Sequence, residues 1–299
     1  MNIRNNLITY LDDFEYENEI RESVLSNLDK LLKHLEIGNK IEHYTELYQN
    51  GVFDFDGLRE ATVSAAETSG ISEMESCFIH MVSLANFALP FFERRGLGKA
   101  EWYDSMIDFK WKMRENKKRF GLWGINAEWH KKFFTADRIA FGRLQYNLLD
   151  SERTFKGKTV DVTEGQTVVT IHIPSDDRTP FSRENRYSSY VRAENYYRRI
   201  VPDGRVIFRC GTWLLNTLHR EILPEGSNIR AFLDDFEIDP DSYEVSNGDL
   251  WRIFYVNSYN GDPSTLPESS SLMRAYKKHL IGGGQIGKMV GYIPGESLR

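Results

Sequence analysis

The residues best placed to do chemistry lie between Thr167 and Leu215. His172 closes a run, Val168-Val169-Thr170-Ile171-His172-Ile173, that reads as a strand stopped by Pro174. A neutral imidazole can act as a general base. A polar loop follows, then an amphipathic helix from about Ser189 to Ile200, then a second strand at Val206-Ile207-Phe208-Arg209-Cys210. A strand that ends in a polar loop running into a helix N-terminus points backbone N–H groups at an anion. Ligands gather at such carboxyl ends of strands. The expectation is a phosphate-bearing cofactor.

Other residues carry weaker signals. Arg143 and Gln145 share one face of an alternating stretch with Asn147, which suits either a substrate groove or the wet face of an edge strand. Asn216 and His219 stand at the start of the helix after the second strand, where capping and solvent exposure are the plain reading. Cys210 could be a nucleophile paired with His172, but a small apolar residue inside a strand is the preferred reading. Gly282, Gly284 and Gly287 satisfy G-x-G-x-x-G, yet a helix precedes them and a strand follows, the reverse of a dinucleotide-binding turn. They read as a helix stop. The seven histidines show no metal-ligand spacing, so no metal is expected.

Composition narrows the classes further. The 299 residues are 40% hydrophobic and 13% aromatic, enough for one large or two ordinary globular domains. A formal net charge of −6 gives no basic field for nucleic acid. Two cysteines cannot build a disulfide framework, and the first residues lack an apolar signal core; both point to the cytoplasm. The most apolar run, Cys77 to Phe92, is too short to span a bilayer and reads as a buried helix.

These residues need elements to position them. Up to about residue 130 the apolar spacing is helical: Ile20 to Leu35 with Gly38 as C-cap, Leu58 to Thr68, Met74 to Phe92 with a Ser72/Glu75 capping box, and Trp102 to Met113. The run Lys110 to Arg119 reads as a solvated helix face. From Arg138 to Leu149 the period becomes two, which predicts a strand. With Arg153–Val162 and the Val168 strand it forms an antiparallel meander of three. Further on, the sequence predicts a helix at 214–222, a helix capped by Ser227, a strand at Leu250–Val256, a helix capped by Ser269 or Ser270, and a last strand at Lys288–Ile293. Residues 1–130 form a helical domain and 131–299 an α+β or α/β domain.

The pieces Gly142-Arg143-Leu144-Gln145-Tyr146, Ile171-His172-Ile173-Pro174, Cys210-Gly211-Thr212-Trp213-Leu214-Leu215 and Leu272-Met273-Arg274-Ala275, in this order, carry a resemblance. The chain resembles a GNAT-type acyltransferase domain behind a helical N-terminal domain, as in bacterial acyltransferase domain-containing proteins. The resemblance implies a mixed-sheet domain and acyl transfer from acyl-CoA, acetyl-CoA first among donors, to an amine or hydroxyl of a small-molecule or peptide acceptor. Backbone N–H groups near Ile173 would polarise the thioester carbonyl, and His172 would be the base. The loop Ser175–Ser188 departs from the family's glycine-rich pyrophosphate loop in having no glycine. Arg178, Arg183 and Arg186, with the helix N-terminus at Ser188 and Ser189, would then hold the pyrophosphate, since guanidinium forks match phosphate geometry. The tyrosine that often protonates the leaving thiolate is missing between Leu214 and Leu223, which leaves Asn216 and His219 for that side of the site. The acceptor would sit in a groove between the domains. A non-catalytic binding module on the same fold is the alternative.

Overall fold

The computed structural model describes residues 3–256 and 259–298, and the chain divides into two compact units, Met1–Ala140 and Phe141–Arg299. The first holds nine helices among its described residues: α1 (Ile3–Asp13), α2 (Asn18–Leu32), α3 (Leu35–Gln49), α4 (Phe55–Ser69), α5 (Glu73–Ala85), α6 (Leu89–Arg94), α7 (Lys99–Met106), α8 (Asp108–Phe120) and α9 (Ala127–Phe134). Helix α5 is buried on nearly every side from Ser76 to Ala85 and packs against α1, α2, α3, α4 and α9. A helix apolar all round belongs at the centre of a bundle. Its start is fixed by the capping box: Glu75 N–H donates to Ser72 Oγ at 3.2 Å and Ser72 N–H donates to Glu75 Oε2 at 3.1 Å. Two helix boundaries differ from the sequence reading. Gly38 is not a C-cap but lies inside α3, where its small size suits a buried position. The run to Phe92 breaks after Ala85, because Pro90 fits the first turn of a new helix and not the interior of an old one. No described helix is long and apolar enough to cross a membrane.

The mixed sheet belongs to the second unit, apart from its first strand, which spans the division at Ala140. The strands are β1 (Ile139–Phe141), β2 (Leu144–Asp150), β3 (Phe155–Lys156), β4 (Asp161–Val162), β5 (Thr167–His172), β6 (Ile207–Thr212), β7 (Glu237–Val245) and β8 (Gly287–Pro294), and the main sheet runs β1-β2-β5-β6-β8-β7. Its helices are α10 (Arg183–Tyr197), α11 (His219–Ile222), α12 (Asn228–Leu233), α13 (Leu250–Phe254) and α14 (Ser271–Ile281).

Four expectations need correction. The alternating stretch is not one strand: Gly142, at φ +68°, turns the chain between β1 and β2. The segment at 153–162 is not the middle of the meander. It folds on itself as the β3–β4 hairpin, and β2 pairs directly with β5, antiparallel, from Gln145↔His172 to Asp150↔Thr167. Leu250–Phe254 is helix α13 and not a strand; the edge strand is Glu237–Val245, whose five acidic and proline positions hide its period. The 214–222 helix is a 3-10 turn at Trp213–Leu215 followed by the four residues of α11. By contrast, Ser227 caps α12 and Ser270 caps α14, and the glycine run after α14 is a helix stop, with Gly283 at φ +83°.

Strand alternation gives the sheet two unlike faces. On one, α10 packs over Tyr146 and Phe208; Tyr197 Oη donates to Tyr146 O at 3.0 Å, and the Tyr190 and Phe208 rings lie 6.1 Å apart. On the other, the β3–β4 hairpin covers Val168, Ile207 and Tyr292 with Phe155, Val160 and Val162. Phe155 stacks on Tyr292 with ring centres 4.9 Å apart. A separate core of Trp213, Ile253, Phe254, Met273, Tyr276 and Ile286 anchors the C-terminal helices.

Candidate active site

The site starts where two parallel strands stop pairing. β5 and β6 are in register only at Val169↔Phe208 and Thr170↔Arg209; beyond those pairs β5 runs on to His172 and β6 to Thr212 without further ladder. A backbone carbonyl freed this way needs another donor. Cys210 supplies one, its thiol donating to Ile171 O at 3.6 Å. The ladder thus ends at two neighbouring carboxyl ends, the place where an α/β sheet presents ligands.

His172 ends β5 on the hairpin-side face, half-buried. Its Nε2 lies 2.7 Å from Asn147 Oδ1 on β2, and Gln145, fully buried, is its cross-strand neighbour. Gln145 and His172 are therefore brought together. Arg143 goes elsewhere: it donates from Nη1 to Pro174 O at 2.9 Å and stacks over the Phe181 ring at 4.9 Å. Burial lowers its pKa from the ordinary arginine value. It buttresses the loop after β5 and does not line a groove with Gln145.

Ile173 opens that loop, which reaches α10 at Ser182, whose Oγ accepts from Asn185 N–H. The helix begins six residues earlier than the sequence reading puts it, because the cap is Ser182 and the polar Arg183–Ser188 stretch is helical with an exposed face. Ser188 and Ser189 consequently sit inside the helix, and Ser189, buried, shares a 2.8 Å hydrogen bond with Tyr146 Oη. They do not form the N-terminus. Arg183 does, exposed, in the first turn, with its guanidinium 4.5 Å over the Tyr187 ring. Arg178 is exposed in the loop, in a tight turn where its N–H and that of Thr179 donate to Asp176 Oδ1. Arg186 is different: fully buried, it donates from Nε to Asp235 Oδ2 at 2.7 Å and from Nη1 to Phe181 O at 3.0 Å. Tyr190 Oη donates to the same carboxylate at 3.2 Å. Arg186 therefore ties the loop to α12's end and is not presented to a ligand. Arg178 and Arg183 are exposed, and the α10 N-terminus carries the positive end of its helix dipole.

After β6, Asn216 and His219 are spent on structure. Asn216 donates from Nδ2 to Gly287 O at 3.1 Å and accepts from Leu218 N–H at 3.0 Å. His219 is buried, not solvent-facing; its Nδ1 meets Leu214 O at 3.1 Å and its Nε2 meets Tyr276 Oη at 2.5 Å. Burial lowers its pKa to about 4. Asn216 also forms part of the wall of a cavity of about 930 Å³, with Phe155 and Lys156 of the hairpin, Ile238 of β7 and Met289 of β8. Cys210 faces α10 while His172 faces the hairpin side, and burial pushes the thiol up to about 12. The two do not form a nucleophile–base pair.

Sequence reasoning missed one row of residues. In register across five strands stand Asn147, Thr170, Arg209, Tyr292 and Glu237, all on the hairpin-side face. Only the pairing makes this row, so no single strand's pattern reveals it.

A parted β5/β6 pair followed by a loop and a capped helix defines a fold class, and the comparisons agree. The model of the GNAT-like C-terminal domain matches residues 139–293, and that of the N-acyltransferase N-terminal domain matches residues 5–136. The chain belongs to this family. Among solved structures, it is similar to a tryptophan-to-alanine variant of an acyltransferase in complex with octanoyl-CoA (18% identity, TM-score 0.71, 95% of this chain and 86% of that one). An acyltransferase in complex with CoA and 10C-teicoplanin matches at 17% identity and TM-score 0.63, over 96% of this chain and 99% of that one. An acyltransferase in complex with decanoyl-CoA matches at 20% identity and TM-score 0.61; there the likeness spans 73% of this chain and 65% of that one, just under two thirds. No curated protein sequence matches the chain.

Proposed function

We propose that the chain is an acyl-CoA-dependent acyltransferase that acylates an amine or hydroxyl of a small-molecule or peptide acceptor. The observation that carries this reading is the parting of β5 and β6 beyond Thr170 and Arg209, directly before the loop into α10. A pantetheine arm would lie where the β5–β6 ladder ends, and the α10 N-terminus with Arg178 and Arg183 suits the pyrophosphate. The structural neighbours hold octanoyl-CoA, decanoyl-CoA or CoA, which supports a CoA thioester as donor.

The residues then take roles. Backbone N–H groups near Ile173 stabilise charge building on the thioester carbonyl oxygen. His172 accepts the proton of the attacking amine or hydroxyl as the new N–C or O–C bond forms. The C–S bond breaks, and the protonated His172 returns its proton to the leaving thiolate, so the enzyme ends as it began. Arg186, Ser188, Ser189, Asn216 and His219 position elements and do not touch the reacting atoms.

The test is calorimetry with CoA, acetyl-CoA and octanoyl-CoA, alongside thermal shift. Saturable binding of at least one is expected, weakened in the Arg178→Gln/Arg183→Gln variant and steeply salt-dependent. Absence of heat and of any shift with all three sinks the reading.

A further inference from the structure

We infer that Arg209 binds a carboxylate on the acceptor, at the mouth of the parted strands. The inference rests on the acyl-transfer reading and specifies its acceptor class. Arg209 sits on the central strand β6 at the last ladder pair, opposite Thr170. Its guanidinium does not stand off the sheet. It runs along the strand and lies over Gly211, with Nη1 and Nη2 at 3.5 and 3.6 Å from where a Cβ on Gly211 would stand. That carries the charge past the end of the β5–β6 ladder. His172, two residues beyond Thr170 on β5, is on the same face. The base and the cation therefore share one face at the carboxyl ends of neighbouring strands.

Arg209 is half-buried, and its Nε is sealed from solvent without a hydrogen bond. Among the described residues no carboxylate pairs with it. The acids on its face are committed: Glu237, two strands away in the same row, accepts from the N–H groups of Lys158 and Thr159, and Asp239 pairs with Arg153 at 3.0 Å. Tyr292, its direct neighbour on β8, is fully buried with a hydroxyl that makes no hydrogen bond. An unsatisfied buried donor weighs against folding, more so when the group is charged. Arg209 carries that cost on the face that it shares with Ile207. Such groups in a native structure call for another explanation. A carboxylate supplies it, because the guanidinium fork accepts two oxygens side by side. Gly211, exposed and without a side chain, leaves the fork uncovered. An acceptor whose amine reaches His172 while its carboxylate lies on Arg209 is an amino acid or a compound built like one.

The experiment titrates succinate, succinamide and inorganic phosphate into the full-length protein saturated with CoA, for wild type, Arg209→Gln and Arg209→Lys, with circular dichroism confirming the fold of each. Succinate is expected to bind wild type saturably and succinamide not. Arg209→Gln should weaken succinate about tenfold or more, and Arg209→Lys by less, as the loss of one charge-assisted fork implies. Equal binding of succinate and succinamide, unchanged succinate affinity in Arg209→Gln, or preference for phosphate over succinate overturns the inference. A second arm compares succinyl-CoA with butyryl-CoA. If succinyl-CoA binds wild type about tenfold tighter and Arg209→Gln abolishes the difference, the carboxylate belongs to the acyl donor and the acceptor assignment fails. Failure of CoA itself to bind is read separately, since it sinks the acyl-transfer reading first.

Discussion

His172 Nε2 and Asn147 Oδ1 stand 2.7 Å apart across the β2–β5 pair, and this contact fixes which imidazole nitrogen can act as a base. Asn147 Nδ2 donates to Leu148 O at 2.9 Å, so the amide presents its oxygen to the ring. An oxygen acceptor requires the proton on Nε2, which leaves the lone pair on Nδ1. A strand residue thereby sets the tautomer of His172, which the proposed role as a base would use.

Two variants separate the base from its orienting partner. His172→Gln should lower kcat by roughly 10²–10⁴-fold while leaving octanoyl-CoA affinity unchanged, the usual size of a general-base loss. Asn147→Leu keeps the base and loses the tautomer control, so a fall of about tenfold is expected. Steady-state rates of CoA release check both. Equal rates for His172→Gln and wild type would remove His172 from the reaction.

The sequence is most legible where one element decides its own form. The Ser72 capping box, the Ser227 and Ser270 caps and the helical period of the first unit are local signals, and each is seen in the structure. So is the change to period two after Arg138, apart from the Gly142 turn that splits it. Legibility fails where tertiary pairing decides. β7 carries Glu237, Asp239, Pro240, Asp241 and Glu244 and forms a strand only because β8 pairs with it around a bulge. Leu250–Val256, apolar enough for a strand, is drawn into the Trp213–Tyr276 core as a short helix. The N-terminus of α10 lies at Ser182 and not at Ser188 or Ser189, a difference hidden in the sequence because serines at both places carry the side chain of a cap. His172 stands out by its place at the strand end. Arg209 does not, since its meaning comes from the strands on either side.

Cys210 gives a prediction about the gap itself. With its pKa pushed up to about 12, roughly one thiol in 10⁵ is ionised at neutral pH, so iodoacetamide should label the folded protein slowly and denatured protein fast. Cys210→Ala should bind octanoyl-CoA like wild type. Cys210→Met adds volume beside Ile171 and should abolish that binding while the far-ultraviolet spectrum stays native. Unimpaired binding by Cys210→Met would mean that the pantetheine does not pass between these strands.

The Arg186–Asp235 pair gives a prediction about stability. Removing one partner of a buried ion pair strands the other charge and costs about 3–5 kcal/mol, whereas replacing both with apolar residues is often near neutral. Asp235→Ala should therefore destabilise strongly, and Arg186→Met/Asp235→Leu should recover most of the loss in urea titrations. The double variant should also keep its octanoyl-CoA affinity. A large loss of affinity in a stable double variant would return Arg186 to the phosphate site.

Two buried histidines make stability depend on pH. Burial lowers the pKa of both His80 and His219 to about 4, from an ordinary 6.5. In the folded chain both are neutral over the whole interval; in the unfolded chain both pick up protons as pH falls through 6.5. The unfolded state then binds more protons, so stability rises with pH across the interval and is lost on acidification from about 6.5 towards 4. At 1.36 kcal/mol per pKa unit the loss is about 3 kcal/mol for each residue. For His80 the cause is visible in the contacts: Nδ1 donates to Ser76 O at 2.9 Å, and Nε2 is sealed away without a partner, so a second proton would have no acceptor. For His219 the second nitrogen is already engaged by Tyr276 Oη. Denaturation measured at pH 7, 5.5 and 4.5 should show a steep fall for wild type, a shallower one for His80→Gln or His219→Gln, and the shallowest for the double variant. Parallel slopes for all four proteins would show that neither histidine is held neutral by the fold.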